Sequence, residues 1–375
     1  MPEQAARAAR RLADGAYRGP GDALFGKRTQ RAFNKGFASE FIDFRMGARA
    51  RRLAGGGYFG HVGLLLLGGR HSSGSAGRCN LFVERPTNLW KRFESSPPQQ
   101  ERTAEMRPEE IVNLDAYPIM DPDSPAWSDL VGRLRRELDE RQYVSLPDFI
   151  LPAARERAVA DALAALPRAH HNSSRRNCYL HRQGDPSLPD DHPRNIMLEA
   201  STRMLAYDQF PDDCPVKLLY HWEPVRRMVA GIVGRDRLFD NEDPCQPVNL
   251  LCYETGDRSA WHFDSVNAFT MTLMLQASES GGDFEMAPNT RTDDDENHDY
   301  VRRVLLGECP EDVVSVAREA GALCIFRGCN SLHRVSPVAG PSTRVMGVFV
   351  YEDEPGIVGD PEVNATVYGR EVAPG

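Results

Sequence analysis

The sequence lacks features that several common classes of protein require. It has no run of the roughly 18 to 20 apolar residues that span a bilayer, and its densest apolar stretch is the leucine run at residues 64–67. The glycine-rich stretch AGGGYFG, residues 54–60, lacks the G-K-[ST] ending of a phosphate-binding P-loop. These absences argue against a membrane-spanning protein and against a P-loop nucleotide site.

Paired cysteines and an excess of positive charge are missing as well. The eight cysteines include no C-x-x-C pair, which in a chain this long indicates scattered reduced thiols and predicts a cytoplasmic location. The 54 acidic residues outnumber the 45 lysines and arginines, so the net charge is -9. Because nucleic-acid binding depends largely on basic residues that neutralise phosphates, we expect no nucleic-acid partner.

What is present divides the chain into two unlike parts. Residues 1–120 contain Gly-, Ser- and Pro-rich stretches with few long periodic segments between them, which predicts a low-order or loosely attached extension. From residue 121 we expect one domain, residues 121–375. Its first part, residues 121–245, is predicted to be helical, and its core, residues 246–352, is predicted to consist of strands.

The helical part begins with a clear start signal. Ser124 is a favourable N-cap, and Pro125 occupies the first turn, where no backbone N–H is needed. Leucines at positions 130, 134 and 138 then recur every four residues, so they form one apolar stripe. A short strand and turn are predicted at QYVSLPDFI, residues 142–150, and two further helices over residues 152–167 and 221–233.

After residue 246 the pattern changes to short apolar or alternating runs separated by tight turns. The runs are VNLLCY, AFTMTLML, DFEM, VVSV, ALCIF and RVMGVFVY. One helical insertion, ENHDYVRRVLLG, ends at Gly307 in the C′ position. Many short strands after a helical layer predict an α+β, mainly β fold, in which a β-sandwich or open barrel carries helices on one sheet.

A metal-binding pattern lies within these strands. His262 and Asp264 stand two residues apart, and on a strand such residues project from the same face. A third ligand has to come from elsewhere, and His333 lies on a later predicted strand. Two imidazoles and one carboxylate on one face of an ion form the facial triad of non-haem Fe(II) oxygenases.

Residues around these three add to the pattern. Arg344 follows His333 beyond the turn PVAGPS, and an antiparallel hairpin would bring its guanidinium into the same cavity, where it suits a carboxylate. Tyr253 precedes His262 in the pattern Y-x-x-G-x(5)-H-x-D, and Gly256 allows a tight bend before the metal strand.

The stretch from Tyr253 to Asp264, GGDFEMAP, the helix DENHDYVRRVLLG, FRGCNSLHRVSPV and Arg344 together resemble the Fe(II)- and 2-oxoglutarate-dependent oxygenase superfamily. Within it, the chain is most similar to the group of free-lysine halogenases and their hydroxylating relatives. The resemblance covers roughly residues 121–375. It implies a double-stranded β-helix, or jelly roll, with Fe(II) as cofactor and 2-oxoglutarate and O2 as cosubstrates.

The resemblance also implies a role for each matching residue. His262, Asp264 and His333 would bind the iron, and Arg344 would bind the distal carboxylate of 2-oxoglutarate. Tyr253 and Asn249 are further candidates for cosubstrate contacts. The halogenases have glycine where this chain has Asp264, and a carboxylate there occupies the position that chloride needs. The resemblance therefore implies hydroxylation rather than halogenation.

The function expected from the sequence is hydroxylation of an unactivated C–H bond in a small amino-acid-like or natural-product substrate. Two alternatives stay open. The Y-x-x-G-x(5)-H-x-D pattern is also similar to prolyl hydroxylases, so a protein side chain is not excluded as substrate. The second alternative is a jelly-roll protein that binds a ligand without catalysis. Such a protein would be expected to have lost a metal ligand or Arg344, whereas this sequence keeps all four residues.

Overall fold

The structure, a computed structural model, describes residues 106–264 and 269–370. The leucine run, the AGGGYFG stretch and most of the predicted extension lie outside the described residues. In the described part, six α-helices are present. They are α1 (Pro125–Arg141), α2 (Pro152–Ala165), α3 (Pro215–His221), α4 (Glu223–Val233), α5 (His298–Leu305) and α6 (Pro361–Tyr368).

Fifteen short strands are present in the same part of the chain. In chain order they are β1 (Tyr143–Leu146), β2 (His170–Arg176), β3 (Leu198–Leu205), β4 (Phe239–Asp240), β5 (Val248–Tyr253), β6 (Ser259–His262), β7 (Thr270–Gln276), β8 (Ser280–Gly281), β9 (Phe284–Ala287), β10 (Val314–Val316), β11 (Leu323–Phe326), β12 (Leu332–Val335), β13 (Val338–Ala339), β14 (Arg344–Phe349) and β15 (Tyr351–Glu352). Each strand run predicted from the sequence contributes to one of them.

Two antiparallel sheets position the functional residues. The larger has seven strands in the order β1-β11-β7-β14-β5-β3-β2, and the smaller has four in the order β10-β9-β12-β6. Two two-stranded pairs, β13-β8 and β15-β4, complete the set. The expected α+β fold with helices beside a large antiparallel sheet is therefore confirmed at this level.

Helices cover one face of the large sheet because their apolar stripes match it. The stripe of α1 is buried as predicted, and Ser124 caps the helix by accepting a hydrogen bond from the backbone of Trp127. Helix α2 buries only alanines, at positions 154, 158, 162 and 165, and packs on β7. Since alanine has the smallest apolar side chain, this stripe lets the helix approach the sheet closely.

The predicted domain boundary at residue 120 is corrected by the core. Ile111, Val112, Tyr117 and Ile119 are all buried and belong to the main hydrophobic cluster. Val112 also forms an antiparallel bridge with Ile150. Glycine- and proline-rich composition before this stretch concealed a short apolar segment that packs into the domain, so residues 111–119 are part of the domain.

Residues 121–245 contain helices and, at β1, the short strand predicted from QYVSLPDFI, but the sequence does not predict β2 and β3. Strands β1, β2 and β3 all come from this stretch and complete the large sheet at its two edges. Strand β2 reads HHNSSRR, and its residues are exposed or half-buried. Its pairing with β3 in continuous register therefore depends on backbone hydrogen bonds, which leave no apolar pattern in the sequence.

Candidate metal centre

Two histidines lie opposite each other in the four-stranded sheet. His262 is the last residue of β6, His333 lies in β12, and the two are register partners in this antiparallel pair. Their ring centroids are 4.3 Å apart. Directly opposed residues project from the same face of a sheet. Pairing of the two strands thus brings together two histidines that are distant in the sequence.

The backbone holds both rings in one orientation. Nδ1 of His262 lies 2.8 Å from the carbonyl oxygen of Ala260, and Nδ1 of His333 lies 2.9 Å from that of Ser331. Because a carbonyl oxygen only accepts hydrogen bonds, each Nδ1 is assigned the proton and each Nε2 keeps a free lone pair. Both Nε2 atoms are available to a metal, and the carbonyls serve as the outer partners that metal-binding histidines usually have.

Asp264 completes the group from just beyond the end of β6. Its Oδ1 lies 3.6 Å from Nε2 of His262 and 3.5 Å from Nε2 of His333, and three donor atoms of the group lie within 4.8 Å of one another. Its Oδ2 accepts a hydrogen bond from the hydroxyl of Thr270. One carboxylate oxygen is therefore held by the protein, while the other faces the two histidines, as a two-histidine, one-carboxylate site requires.

Gly328 makes room for this carboxylate. The backbone N–H of Asp264 donates to the Gly328 carbonyl at 3.1 Å, and a Cβ atom at position 328 would lie only 2.7 Å from Cγ of Asp264. Glycine is required here because the two segments approach so closely. The sequence predicts no role for Gly328, since only the folded structure brings it beside Asp264.

Burial and mutual contact keep these groups in metal-binding forms. Burial, and then the neighbouring His333, lower the pKa of His262 to about 4. Burial alone would raise the pKa of Asp264, but the neighbouring His333, with smaller contributions from His262 and Thr270, lowers it well below its ordinary value. At neutral pH His262 is therefore neutral and Asp264 ionised, which are the forms that bind metals.

Arg344 is an unpaired cation in the interior. Its side chain is 1% exposed, yet neither Nη1 nor Nη2 has a hydrogen-bond partner among the described residues. Burial lowers its pKa to about 10, so it remains charged at neutral pH. A buried charge without a partner is costly, and a bidentate carboxylate would satisfy both atoms. The distal carboxylate of 2-oxoglutarate fits this requirement.

Tyr253 stands beside this guanidinium, and Thr272 lies farther along the same sheet, opposite Val348 of β14. Tyr253 on β5 is the register partner of Arg344 on β14, and the guanidinium carbon lies 5.2 Å from the centroid of its ring. Thr272 is buried, and its hydroxyl has no partner within the described chain. It shares a face of β7 with Thr270, the residue that holds Asp264. The unpaired polar groups thus line the same interior as the metal ligands.

Arg344 reaches this interior by a different route from the one predicted. Its strand, β14, does not form a hairpin with β12, because β12 belongs to the four-stranded sheet and β14 pairs with β5 and β7 in the seven-stranded one. The PVAGPS turn instead carries the chain from one sheet to the other. His333 and Arg344 accordingly approach the interior from opposite sheets.

Asn249 lies apart from Tyr253 and Arg344, and its contact with the cosubstrate stays a prediction. It lies four residues before Tyr253 on β5, about 13 Å along an extended strand. Its amide nitrogen donates to the Cys245 carbonyl at 2.8 Å, and its amide oxygen accepts from the Tyr368 hydroxyl at 2.9 Å. These bonds fix the C-terminal helix α6 to the sheet.

Arg176 is a polar residue near the metal ligands that the sequence did not indicate. It ends β2, and the backbone N–H of Phe263 donates to the carbonyl of the nearby Cys178 at 2.9 Å. This segment therefore runs directly alongside the metal strand. The positive charge of Arg176 contributes to the lowered pKa of His262. No sequence signal marks it, because the pairing that places it is made by polar strands.

The halogenase D family model matches residues 127–356 of this chain, which is more than half of its length. The matched range includes the three candidate metal ligands, Tyr253 and Arg344. No curated protein matches the sequence.

Several solved structures are similar in fold. One is an oxidoreductase of the 2OG-Fe(II) oxygenase family from Burkholderia pseudomallei, with 16% identity, 60% of this chain and 92% of that chain covered, and a TM-score of 0.38. A prolyl hydroxylase from Trichoplax adhaerens, in complex with a hypoxia inducible factor peptide, has 14% identity, coverages of 60% and 90%, and a TM-score of 0.41. The α-ketoglutarate-dependent epimerase SnoN from nogalamycin biosynthesis has 16% identity, coverages of 62% and 92%, and a TM-score of 0.41. With TM-scores this low, these likenesses support no inference about the activity of this chain.

Proposed function

The chain belongs to the halogenase D family, within the superfamily of Fe(II)- and 2-oxoglutarate-dependent oxygenases, and on that premise we propose that it hydroxylates an unactivated C–H bond of a small substrate. The cofactors of that superfamily are Fe(II), 2-oxoglutarate and O2, as the sequence predicts. One observation carries the proposal. A complete set of three metal donors and an unpaired buried arginine line one interior.

The side chains present fit both groups. His262 and His333 would offer their Nε2 atoms to Fe(II), and Asp264 would offer Oδ1 while Thr270 holds its other oxygen. Arg344 would bind the distal carboxylate of 2-oxoglutarate, and Tyr253 would contact the same cosubstrate beside it. Bound Fe(II), with 2-oxoglutarate and O2, would supply the oxidising power that an unactivated C–H bond requires.

Hydroxylation is proposed over halogenation because of Asp264. Its carboxylate faces both histidines and is fixed on three sides: by the Thr270 hydroxyl, by its own backbone bond to Gly328 and by the close approach of that glycine. A halide ligand would need the space that this carboxylate occupies.

The jelly-roll arrangement of the two sheets and the cytoplasmic location also stay part of the proposal. The backbone bonds that Ser201 and Arg258 exchange, which tie β3 to the start of β6, support the joining of the sheets.

An anionic group on the substrate is proposed to bind Arg176. Among the residues that the structure describes, its Nε bonds only to the Ser174 hydroxyl, at 2.8 Å, so a planar edge of the guanidinium remains for a carboxylate. This supports the amino-acid-like class of substrate over a prolyl residue within a protein, which carries no free carboxylate beside the reacting carbon. Arg176→Met should raise the KM for such a substrate by about tenfold or more, and leave 2-oxoglutarate binding unchanged.

The first experiment is an anaerobic titration of the purified protein with Fe(II) and then 2-oxoglutarate, followed through the weak visible band of their chelate. The wild type should form the band, and His333→Ala should not. Arg344→Met should need at least tenfold more 2-oxoglutarate. A folded wild-type protein that forms no band would overturn the oxygenase proposal and favour a binding protein without catalysis.

The effect of added chloride distinguishes hydroxylation from halogenation. The band of the wild type should not respond to added chloride, whereas Asp264→Gly should gain a chloride-dependent shift because it lacks the carboxylate. Turnover is then followed by succinate release in a screen of amino acids and related natural products, with product mass showing whether oxygen or chlorine was added. A chlorinated product from the wild type would refute hydroxylation while leaving the family unchanged.

A further inference from the structure

A second arginine lies in the same interior as Arg344. Arg318 follows β10, and its guanidinium carbon lies 3.4 Å from the ring centroid of Phe284 and 5.3 Å from that of Phe326. Both rings also pack near His333, at 5.7 Å and 5.0 Å between ring centroids. The two phenylalanines therefore hold Arg318 behind the metal ligand, and a ring face attracts a cation in that position.

Arg318 has no oxygen partner among the described residues. Its Nη1 lies 3.3 Å from Sδ of Met346 and its Nη2 lies 3.8 Å from Sγ of Cys324, both weak acceptors, and its Nε is buried without a partner. Several arginines nearer the surface, such as Arg235 with Asp353, are paired with carboxylates. Arg318 is half-buried, and its guanidinium, whose hydrogen bonds within the described chain go to sulfur, is therefore available to an anion.

The contacts of Arg318 link it to Arg344 rather than to Arg176, the residue proposed to bind the substrate. Met346, its sulfur contact, lies two residues after Arg344 on the same face of β14. Burial lowers the pKa of both arginines, Arg318 lowers that of Arg344 further, and Tyr253 opposes the shift in each, as expected for groups that share one interior. Arg176, by contrast, lies beside the metal strand at the edge of the large sheet.

We infer that Arg318 is a second cation for the distal carboxylate of 2-oxoglutarate, acting together with Arg344; this inference rests on the proposed function. Two like charges that repel each other in the free protein both gain from one carboxylate placed between them. Arg318 then acts as a specificity-determining residue, because it strengthens the binding of a 2-oxo acid that has a second carboxylate relative to the binding of one that lacks it.

The test compares two ligands that differ only at the far end. 2-Oxopentanoate has the length and the 2-oxo acid group of 2-oxoglutarate but a methyl group in place of the distal carboxylate. Binding of each is measured by anaerobic calorimetry on the Fe(II)-loaded full chain. In Arg318→Met we expect 2-oxoglutarate to bind tenfold to a hundredfold more weakly, and 2-oxopentanoate to bind within twofold of the wild type.

Two further variants serve as a rescue test and a control. Arg318→Lys keeps the charge and most of the stem, so it should recover part of the lost 2-oxoglutarate affinity, and it serves if Arg318→Met does not fold. Arg141→Met is the matched control, because Arg141 also lies over an aromatic ring, 4.5 Å from the centroid of Tyr143, but its side chain is exposed and paired with Glu137. It should leave the affinity ratio of the two ligands unchanged.

Thermal melting of the ligand-free protein provides an independent measurement. Arg318→Met should melt at or above the wild-type temperature, since it removes a half-buried charge that Arg344 repels, while the stabilisation by 2-oxoglutarate should shrink. Equal loss of affinity for both ligands, or no loss for either, would overturn the inference and make Arg318 a packing residue. A wild-type protein that binds neither Fe(II) nor 2-oxoglutarate would instead sink the proposed function itself.

Discussion

Backbone carbonyls set the chemical form of the two histidines. The carbonyls of Ala260 and Ser331 accept from Nδ1 of His262 and His333, so both Nε2 atoms turn to the same interior with lone pairs free. Each accepting carbonyl is two residues before its histidine in the same strand segment. The tautomers thus follow from local geometry, and no distant group is needed to set them.

Removing the space at Gly328 should weaken metal binding. A Cβ at this position would press on the carboxylate of Asp264, so Gly328→Ala should reduce Fe(II) affinity by about ten- to a hundredfold, as loss of a supporting contact does at other metal sites. The measurement is a competition titration with a metal-binding dye.

Gly132→Ala is the control for that substitution. Gly132 lies within α1, and the nearest atom to an added Cβ is Nη1 of Arg136, at 3.6 Å. Alanine there should leave metal affinity unchanged and raise the free energy of unfolding by about 0.5 to 1 kcal/mol. Equal metal affinity for Gly328→Ala and the wild type would show that the carboxylate can move without loss.

At the scale of elements, the sequence predicts the strands that carry the ligands but not how they pair. His262, Asp264 and His333 follow from residue type, strand period and spacing, and all three meet. Arg344 also reaches the interior, but from the other sheet, since strand order depends on contacts between distant segments. Gly328, Arg318 and Arg176 could not be predicted for the same reason: their roles arise only from neighbours distant in the sequence.

The polar hairpin of β2 and β3 marks another limit. Strand β2 has the burial pattern of an edge strand, without a buried residue, so neither alternation nor an apolar run identifies it. Helix α1 shows the opposite case, since its N-cap, its first-turn proline and its leucine stripe all predict the same helix. Prediction succeeds where local signals agree with the tertiary contacts, and fails where backbone pairing alone decides.

The alanine face of α2 should not tolerate a larger side chain. Ala158 is fully buried against the sheet, whereas Ala160 on the same helix is exposed. Ala158→Leu should lower the free energy of unfolding by about 1 to 3 kcal/mol because it overpacks the contact. Ala160→Leu should change it by less than about 0.5 kcal/mol. Urea denaturation of the two variants gives both values, and equal stabilities would mean that α2 packs more loosely than its contacts indicate.

At the scale of the whole molecule, the site joins residues from both sheets, so ligand binding should stabilise the complete domain. Fe(II) with 2-oxoglutarate at a hundredfold excess over its dissociation constant should add about 2.7 kcal/mol to the free energy of unfolding. A chelator should remove this gain, and His333→Ala should show none of it. Thermal melting under anaerobic conditions measures the effect, and stabilisation that survives in His333→Ala would place the ligands elsewhere.

The extent of the domain towards the N-terminus can be tested with two neighbouring residues. Ile119 is fully buried in the main core, while Met120 is 47% exposed. If the domain includes the segment 111–119, Ile119→Ala leaves a cavity and should lower the free energy of unfolding by about 2 to 5 kcal/mol. Met120→Ala should change it by less than about 0.5 kcal/mol. Since whole domains are stable by only about 5 to 15 kcal/mol, the first change should be evident in a single denaturation curve. Two indistinguishable curves would restore a boundary at residue 120 and make the preceding segment an appendage of the domain.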